Sequence, residues 1–150
     1  MPELTPDQLL ESLAEALQTM AFVSIEPPPE QDVAPTDADL YRLPFSGKIS
    51  GEFQMVAPRR LGQSLAANML ALDPAGEEAI QRAQDAIKEL CNITAGLLLR
   101  QLCDPYADDL QMGLPQAGQL SPADWPQFVG SAVLVQAEGL PVALKMEARS

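Results

Sequence analysis

The chain has 150 residues, 47% hydrophobic and 20% charged, a composition that suits one folded domain with a single core and excludes a disordered chain. Its 21 acidic residues outweigh 9 basic ones to give a net charge of −12, and such a surface is repelled by nucleic-acid phosphates and by anionic lipid. Histidine is absent, which removes the commonest general base, the Ser-His and Cys-His nucleophile pairs and most zinc and iron sites.

The first four residues, Met-Pro-Glu-Leu, carry neither a basic region nor an apolar signal segment. No apolar run reaches the length of a membrane span, so the expectation is a cytoplasmic chain. A helix start follows. Thr5 caps, Pro6 fits the first helical position, Gln8 completes a capping box, and Leu4 and Leu9 form a hydrophobic staple. Leu9, Leu13, Leu17 and Met20 recur at helical spacing and predict a helix to about Phe22, with its leucines in the core. The proline-rich segment 27–38 cannot continue that helix, because successive prolines favour an extended polyproline conformation. It reads as an exposed loop and not as a linker, since too little chain precedes it to form a domain.

Leu40 to Ser46 and Ile49 to Ala57 predict two strands around Gly47-Lys48, with Pro44 pushing part of the first toward a sheet edge. Gly47 and Gly51 read as a turn or bulge, because the lysine and Ser/Thr of a P-loop are missing. Pro58 opens a second helix with Leu61, Leu65, Met69 and Leu72 as its buried stripe. Arg59 and Arg60 near its start read as solvated arginines, with a docking patch for an acidic partner as the alternative. Asp73 to Gly76 breaks the chain before the longest helical pattern, Gly76 to Leu102, which should stop near Cys103-Asp104-Pro105. Cys91 and Cys103 on that helix are about 18 Å apart, beyond disulfide reach. They are expected to be buried, inert thiols of a reducing compartment.

Leu110, Met112 and Leu114 alternate in a third strand ending at Pro115. Trp125, between Pro122 and Pro126, reads as a packed loop residue, with partner contact as the alternative. Phe128 to Ala137 is a nearly continuous apolar run that predicts a central strand. Leu140, Val142, Leu144 and Met146 alternate in the last strand, joined to it by a two-residue turn at Glu138-Gly139. The order is helix, two strands, helix, long helix, three strands. It predicts a single α+β domain over residues 1–150, an antiparallel-rich sheet with helices gathered on one face.

Within the long helix, Asp85, Glu89, Asn92 and Gly96 fall inside an arc of about 60°. The opposite side carries Ala83, Ile87, Leu90, Thr94, Leu97 and Leu98 and should be buried. Glu89 and Asn92 therefore stand one turn apart on the outward side. Spacing alone makes this an ordinary solvated helix face.

The pattern Asp85-x3-Glu89-x2-Asn92, followed after 22 residues by Pro115, resembles the motif of the CheC/CheX/FliY phosphatases, which dephosphorylate the response regulator CheY in bacterial chemotaxis. The stretch Glu-Leu-Cys-Asn-Ile-Thr-Ala-Gly from Glu89 to Gly96, and Gly113-Leu-Pro115 after the helix, resemble CheX in particular. The order of elements agrees with a CheX-like fold. CheC-like proteins carry Glu-x2-Asn twice, whereas the second helix here has Asn68 but Leu65 where the glutamate would stand. That departure favours the single-site, CheX-like branch.

The resemblance implies a phosphatase acting on a phosphorylated CheY-like receiver domain, whose phosphate sits on an aspartate beside its own lysine and a bound Mg²⁺. Asn92 would position the attacking water, and Glu89 would pair with the regulator's lysine. Asp85 is a supporting motif position, Gly96 a point of close approach, and Pro115 shapes the end of the third strand. No cofactor or metal of the chain's own is implied, since Mg²⁺ is expected on the regulator. CheX-like proteins pair through their sheets, which implies a symmetric homodimer. Two alternatives stay open: a non-catalytic module of the same fold that docks on a regulator or flagellar switch, and a structural domain with no receiver partner.

Overall fold

The structure, a computed structural model, describes residues 5–31, 33–47, 49–103 and 110–149, and the side chains of all of these but 102, 103 and 149. Leu4 of the expected staple, Lys48 of the first turn, the Cys103 thiol and the helix stop at Asp104-Pro105 lie outside them.

Helix α1 (Pro6–Ala21) starts on the expected capping box. The Gln8 N–H donates to Thr5 Oγ1 at 3.2 Å and the Thr5 N–H donates to Gln8 Oε1 at 3.0 Å, so two otherwise orphaned donors are satisfied. Then come β1 (Ile25–Glu26), β2 (Ala38–Ser46), β3 (Ser50–Pro58) and α2 (Arg59–Leu70). The short α3 (Glu77–Gln81) leads into α4 (Ala83–Cys103), followed by β4 (Gln111–Met112), β5 (Gln116–Gln119), α5 (Trp125–Gly130), β6 (Val133–Ala137) and β7 (Leu140–Arg149). No helix among the described residues is long and apolar enough to cross a membrane.

The strands form one antiparallel sheet in the order β1-β6-β7-β3-β2-β4, with β5 also pairing β2. Alternation along β2 and β3 puts Tyr41, Leu43, Phe53 and Met55 on one face, where they meet α1, α2 and α4 in the main core. Ala137 pairs with Leu140, which leaves Glu138 and Gly139 as a two-residue hairpin loop, as read from the sequence. Both have positive φ, 54° and 72°, the requirement of a type I′ turn.

Several expectations need correction. The long helical pattern is not one helix: Arg82 leaves helical geometry (φ −96°, ψ 2°) between α3 and α4. There α2 presses on the bend, since a Cβ on Gly62 would stand 2.2 Å from the Ala83 carbonyl oxygen.

The third strand does not run on to Pro115. It divides into β4, opposite Phe45 and Ser46, and β5, opposite Asp39 to Arg42. Between the pairs Arg42–Gln116 and Phe45–Met112, two residues of β2 face Gly113, Leu114 and Pro115, which is a bulge. Pro44 and Pro115 have no N–H to give a ladder. The Gly113 N–H instead donates to the Pro44 carbonyl at 2.7 Å, Pro115 is buried, and Leu114 is turned out to 82% exposure.

The apolar run from Phe128 opens as the end of a helix. Trp125 and Phe128, three apart on α5, both point inward and pack on Ala38, Val56 and Ala143. Only Val133–Ala137 is strand. The residues α5 covers have the opposite parity to those of the main core, so helices lie on both faces of the sheet and not on one. Trp125 is packed, as expected, but on a helix.

Candidate functional site

The motif helix α4 is fixed from three sides. Its buried stripe of Ile87, Leu90, Thr94 and Leu98 is fully enclosed, as the periodicity requires, and Cys91 and Ala95 join it. Leu97 is only half-buried. Leu99, near the helix end, packs on Phe45 and Ile49. Complete burial pushes the Cys91 thiol well above its usual pKa, and its Sγ lies 3.9 Å from Met55 Sδ. That thiol is packing and not a nucleophile.

At the other end, Asp39 on β2 anchors both α2 and α4. Its carboxylate is 1% exposed and accepts from Arg59 Nε at 2.8 Å, Arg59 Nη2 at 3.1 Å and Gln84 Nε2 at 3.0 Å. Asp37 does the same for Arg60, whose Nε donates to Asp37 Oδ2 at 3.1 Å. Partial burial works to raise the Asp37 pKa, but the side-chain and backbone hydrogen bonds of Arg60 and its charge outweigh it and hold the carboxyl below its usual range. The two arginines therefore tie the start of α2 to β2 and to the residue just before it, and neither is a free docking charge. Asn68 likewise serves packing: its Nδ2 donates to the Ala21 carbonyl at 3.0 Å and ties α2 to the end of α1.

On this frame Asp85, Glu89, Asn92 and Gly96 share the outward side of α4. Asp85 and Glu89 are exposed. Asn92 is half-buried and not fully exposed as expected, because its flank of the helix also carries Ala95 and Leu99, which turn into the protein. Among the described residues no side chain hydrogen-bonds or pairs with Glu89 or Asn92. An ideal Cβ on Gly96 would meet nothing within 4 Å, so no internal element explains a glycine here. Pro115 lies apart from the helix motif in sequence and sits in the bulge beside β2. The arrangement offers an accessible amide, able both to donate and to accept, one turn from an accessible carboxylate. Among the described residues no three His, Cys, Asp or Glu side chains gather to hold a metal ion.

One feature of this face was not read from the sequence. A groove of about 400 Å³ runs beside Asp85 and Glu89, floored by side chains of α1, α2 and α4. Met69 was assigned to the buried stripe of α2, yet it is 38% exposed there.

The family described as chemotaxis phosphatase CheX matches residues 42–135. No curated protein matches the chain by sequence. Among solved structures, the chemotaxis protein CheX of Vibrio vulnificus is similar at TM-score 0.67 and 18% identity, over 95% of this chain and 97% of that one. CheX in a CheX–CheY–BeF3–Mg²⁺ complex from Borrelia burgdorferi is similar at TM-score 0.64 and 15% identity, over 96% and 97%. Thermotoga maritima FliY is similar at TM-score 0.55 and 14% identity, over 99% and 92%. At these identities the likeness establishes the shared CheC/CheX-like α+β fold. With more than half of its length matched by the family, the chain belongs to the CheX family of chemotaxis phosphatases.

Proposed function

We propose that this chain hydrolyses the aspartyl phosphate of a CheY-like receiver domain, with Asn92 and Glu89 as its working residues. The observation that carries the reading is their placement: one turn apart on the accessible side of α4, without internal partners among the described residues. The complex of the Borrelia burgdorferi CheX with CheY supports a regulator of that kind as the partner.

With charge on the phosphoryl group already neutralised by the regulator's own lysine and Mg²⁺, little remains but to place a water in line with phosphorus. The Asn92 amide does this by accepting a hydrogen bond from the water through Oδ1, or donating one through Nδ2. Orienting the water contributes about ten- to thousandfold in rate, or roughly 1.4–4 kcal/mol. Glu89 pairs with the regulator's lysine and so fixes where Asn92 lands. Asp85 supports the acidic helix face, Gly96 leaves room for the partner's backbone, and Pro115 shapes the bulge next to β2. No cofactor of the chain's own enters this scheme.

The same proposal includes a symmetric homodimer through the outer edge of the sheet; its support is that Met112 and Leu114 are exposed there and no described strand lies beyond β4 and β5. Light scattering of a symmetric homodimer at micromolar concentration supports this; a 16 kDa particle refutes it.

Phosphate release from a Mg²⁺-loaded, acetyl-phosphate-charged regulator of the same organism tests the enzymatic reading. The chain should shorten the lifetime of the phosphorylated regulator. A chain that binds the regulator and leaves that lifetime unchanged is the docking module instead.

A further inference from the structure

We propose that the groove between α1, α2 and α4 is the surface by which this chain selects its regulator, taking an apolar side chain of the receiver domain that is flanked by a basic one. The inference rests on the phosphatase reading above and assigns partner selection to residues outside the motif.

Glu89 and Asn92, in that reading, touch only what every phosphorylated receiver domain shares: a lysine and the phosphoryl centre. Contacts common to all regulators cannot tell one from another, so discrimination must come from a neighbouring surface. The groove is such a neighbour, because Asp85 and Glu89 form one of its walls. Its floor is apolar, with Met20 of α1, Met69 and Leu70 of α2, and Ile93 of α4. Met69 and Leu70 are 38% and 49% exposed, and nothing among the described residues covers them. Flexible methionines at a binding surface suit a pocket that must accept a side chain of irregular shape. A regulator whose lysine reaches Glu89 is carried over this groove at the same time, since the two share a wall.

Charge decides the occupant. Arg82 also lines the groove, but its Nε donates to Glu78 Oε1 at 3.2 Å, so its charge is already matched. Asp85 and Glu89 have no such partner among the described residues. An apolar floor with an unmatched acidic wall fits a partner that is apolar at its centre and basic at its rim. A second copy pairing through this same face would bring Asp85 and Glu89 against their own counterparts, which disfavours it here.

The test is the regulator-concentration dependence of phosphate release for the double variant Met69→Ser/Leu70→Ser, beside the parent chain, Asn92→Ala, and Val33→Ser as an exposed apolar control far from the motif in sequence. Both groove positions are partly exposed and lie outside the core, so the variant should stay folded, which circular dichroism checks. The expected result is a half-saturating regulator concentration raised by about tenfold with maximal turnover within about twofold of the parent. Asn92→Ala should show the reverse split, and Val33→Ser should match the parent. If the parent and Asn92→Ala behave as the phosphatase reading requires while the groove variant saturates like the parent, the groove proposal alone is wrong. The same holds if the variant changes only the particle mass in light scattering, which would make a second copy the occupant. A parent chain that releases no phosphate overturns the phosphatase reading, and the groove proposal with it.

Discussion

Gln84 Nε2 donates a hydrogen bond of 3.0 Å to Oδ2 of Asp39, and the residue after Gln84 is the first of the motif, Asp85. A buried carboxylate on β2 thus ties α4 to the sheet one residue before its working face begins. Replacing Asp39 by Asn keeps the shape but weakens the charge-assisted bonds from Arg59 and Gln84. Arg59 is 49% exposed and returns to water, so the loss is smaller than for a fully enclosed pair. The expected fall in unfolding free energy is about 2 kcal/mol, read from urea denaturation. An unchanged midpoint would show that the network does not hold the helix.

Asp37 predicts a pH dependence. Against the effect of burial, the hydrogen bonds and charge of Arg60 hold its folded pKa below the usual carboxylate range, so the folded chain binds fewer protons there than the unfolded chain does. The Asp37–Arg60 contribution is therefore fully present above the ordinary carboxylate range and is lost as pH falls through the lower, folded pKa. Asp37→Asn should lose less stability than the parent between about pH 5 and pH 3. Parallel curves for the two proteins over that window would contradict this origin of the shift.

Glu138 occupies the first position of the type I′ turn with φ 54°, where asparagine is better tolerated than glutamate. Glu138→Asn should raise stability by about 0.5 kcal/mol in thermal melting. A lower melting temperature would mean that the glutamate does something the backbone does not show.

What was legible in the sequence follows from what is local. The Thr5–Gln8 capping box and the Glu138-Gly139 turn are each decided within a few residues, and both stand in the structure. The shared outward side of Asp85, Glu89 and Asn92 follows from helical periodicity alone, and the bend at Arg82 falls before it. Other features depend on distant chain. The bulge at Gly113–Pro115 exists because Pro44 lies opposite, and the pairs Asp39–Arg59 and Asp37–Arg60 form because β2 folds back along β3. The run from Phe128 has no periodicity to separate helix from strand; contacts of Trp125 and Phe128 with the second sheet face decide it. The groove is assembled from three helices and has no sequence signature at all.

Glu89→Ala separates docking from chemistry. In the proposed division of labour, the lysine contact sets the register, so this variant should lose affinity for the phosphorylated regulator as well as rate. Its side chain is exposed and makes no internal hydrogen bond or ion pair among the described residues, so stability should move by no more than about 0.5 kcal/mol. Binding by the variant that equals the parent's in a receiver-domain titration would remove Glu89 from the interface.

The most direct test of the central claim is a single-turnover phosphate-release time course with Asn92→Ala and saturating phosphorylated regulator. Asn92 lies on the outer side of α4, half-buried and without an internal hydrogen bond among the described residues, so the variant should fold and bind as the parent does. The predicted result is dephosphorylation slower by about ten- to thousandfold, with affinity preserved. Release as fast as the parent's would contradict the account, and this α4 face would then be a docking surface without catalytic work.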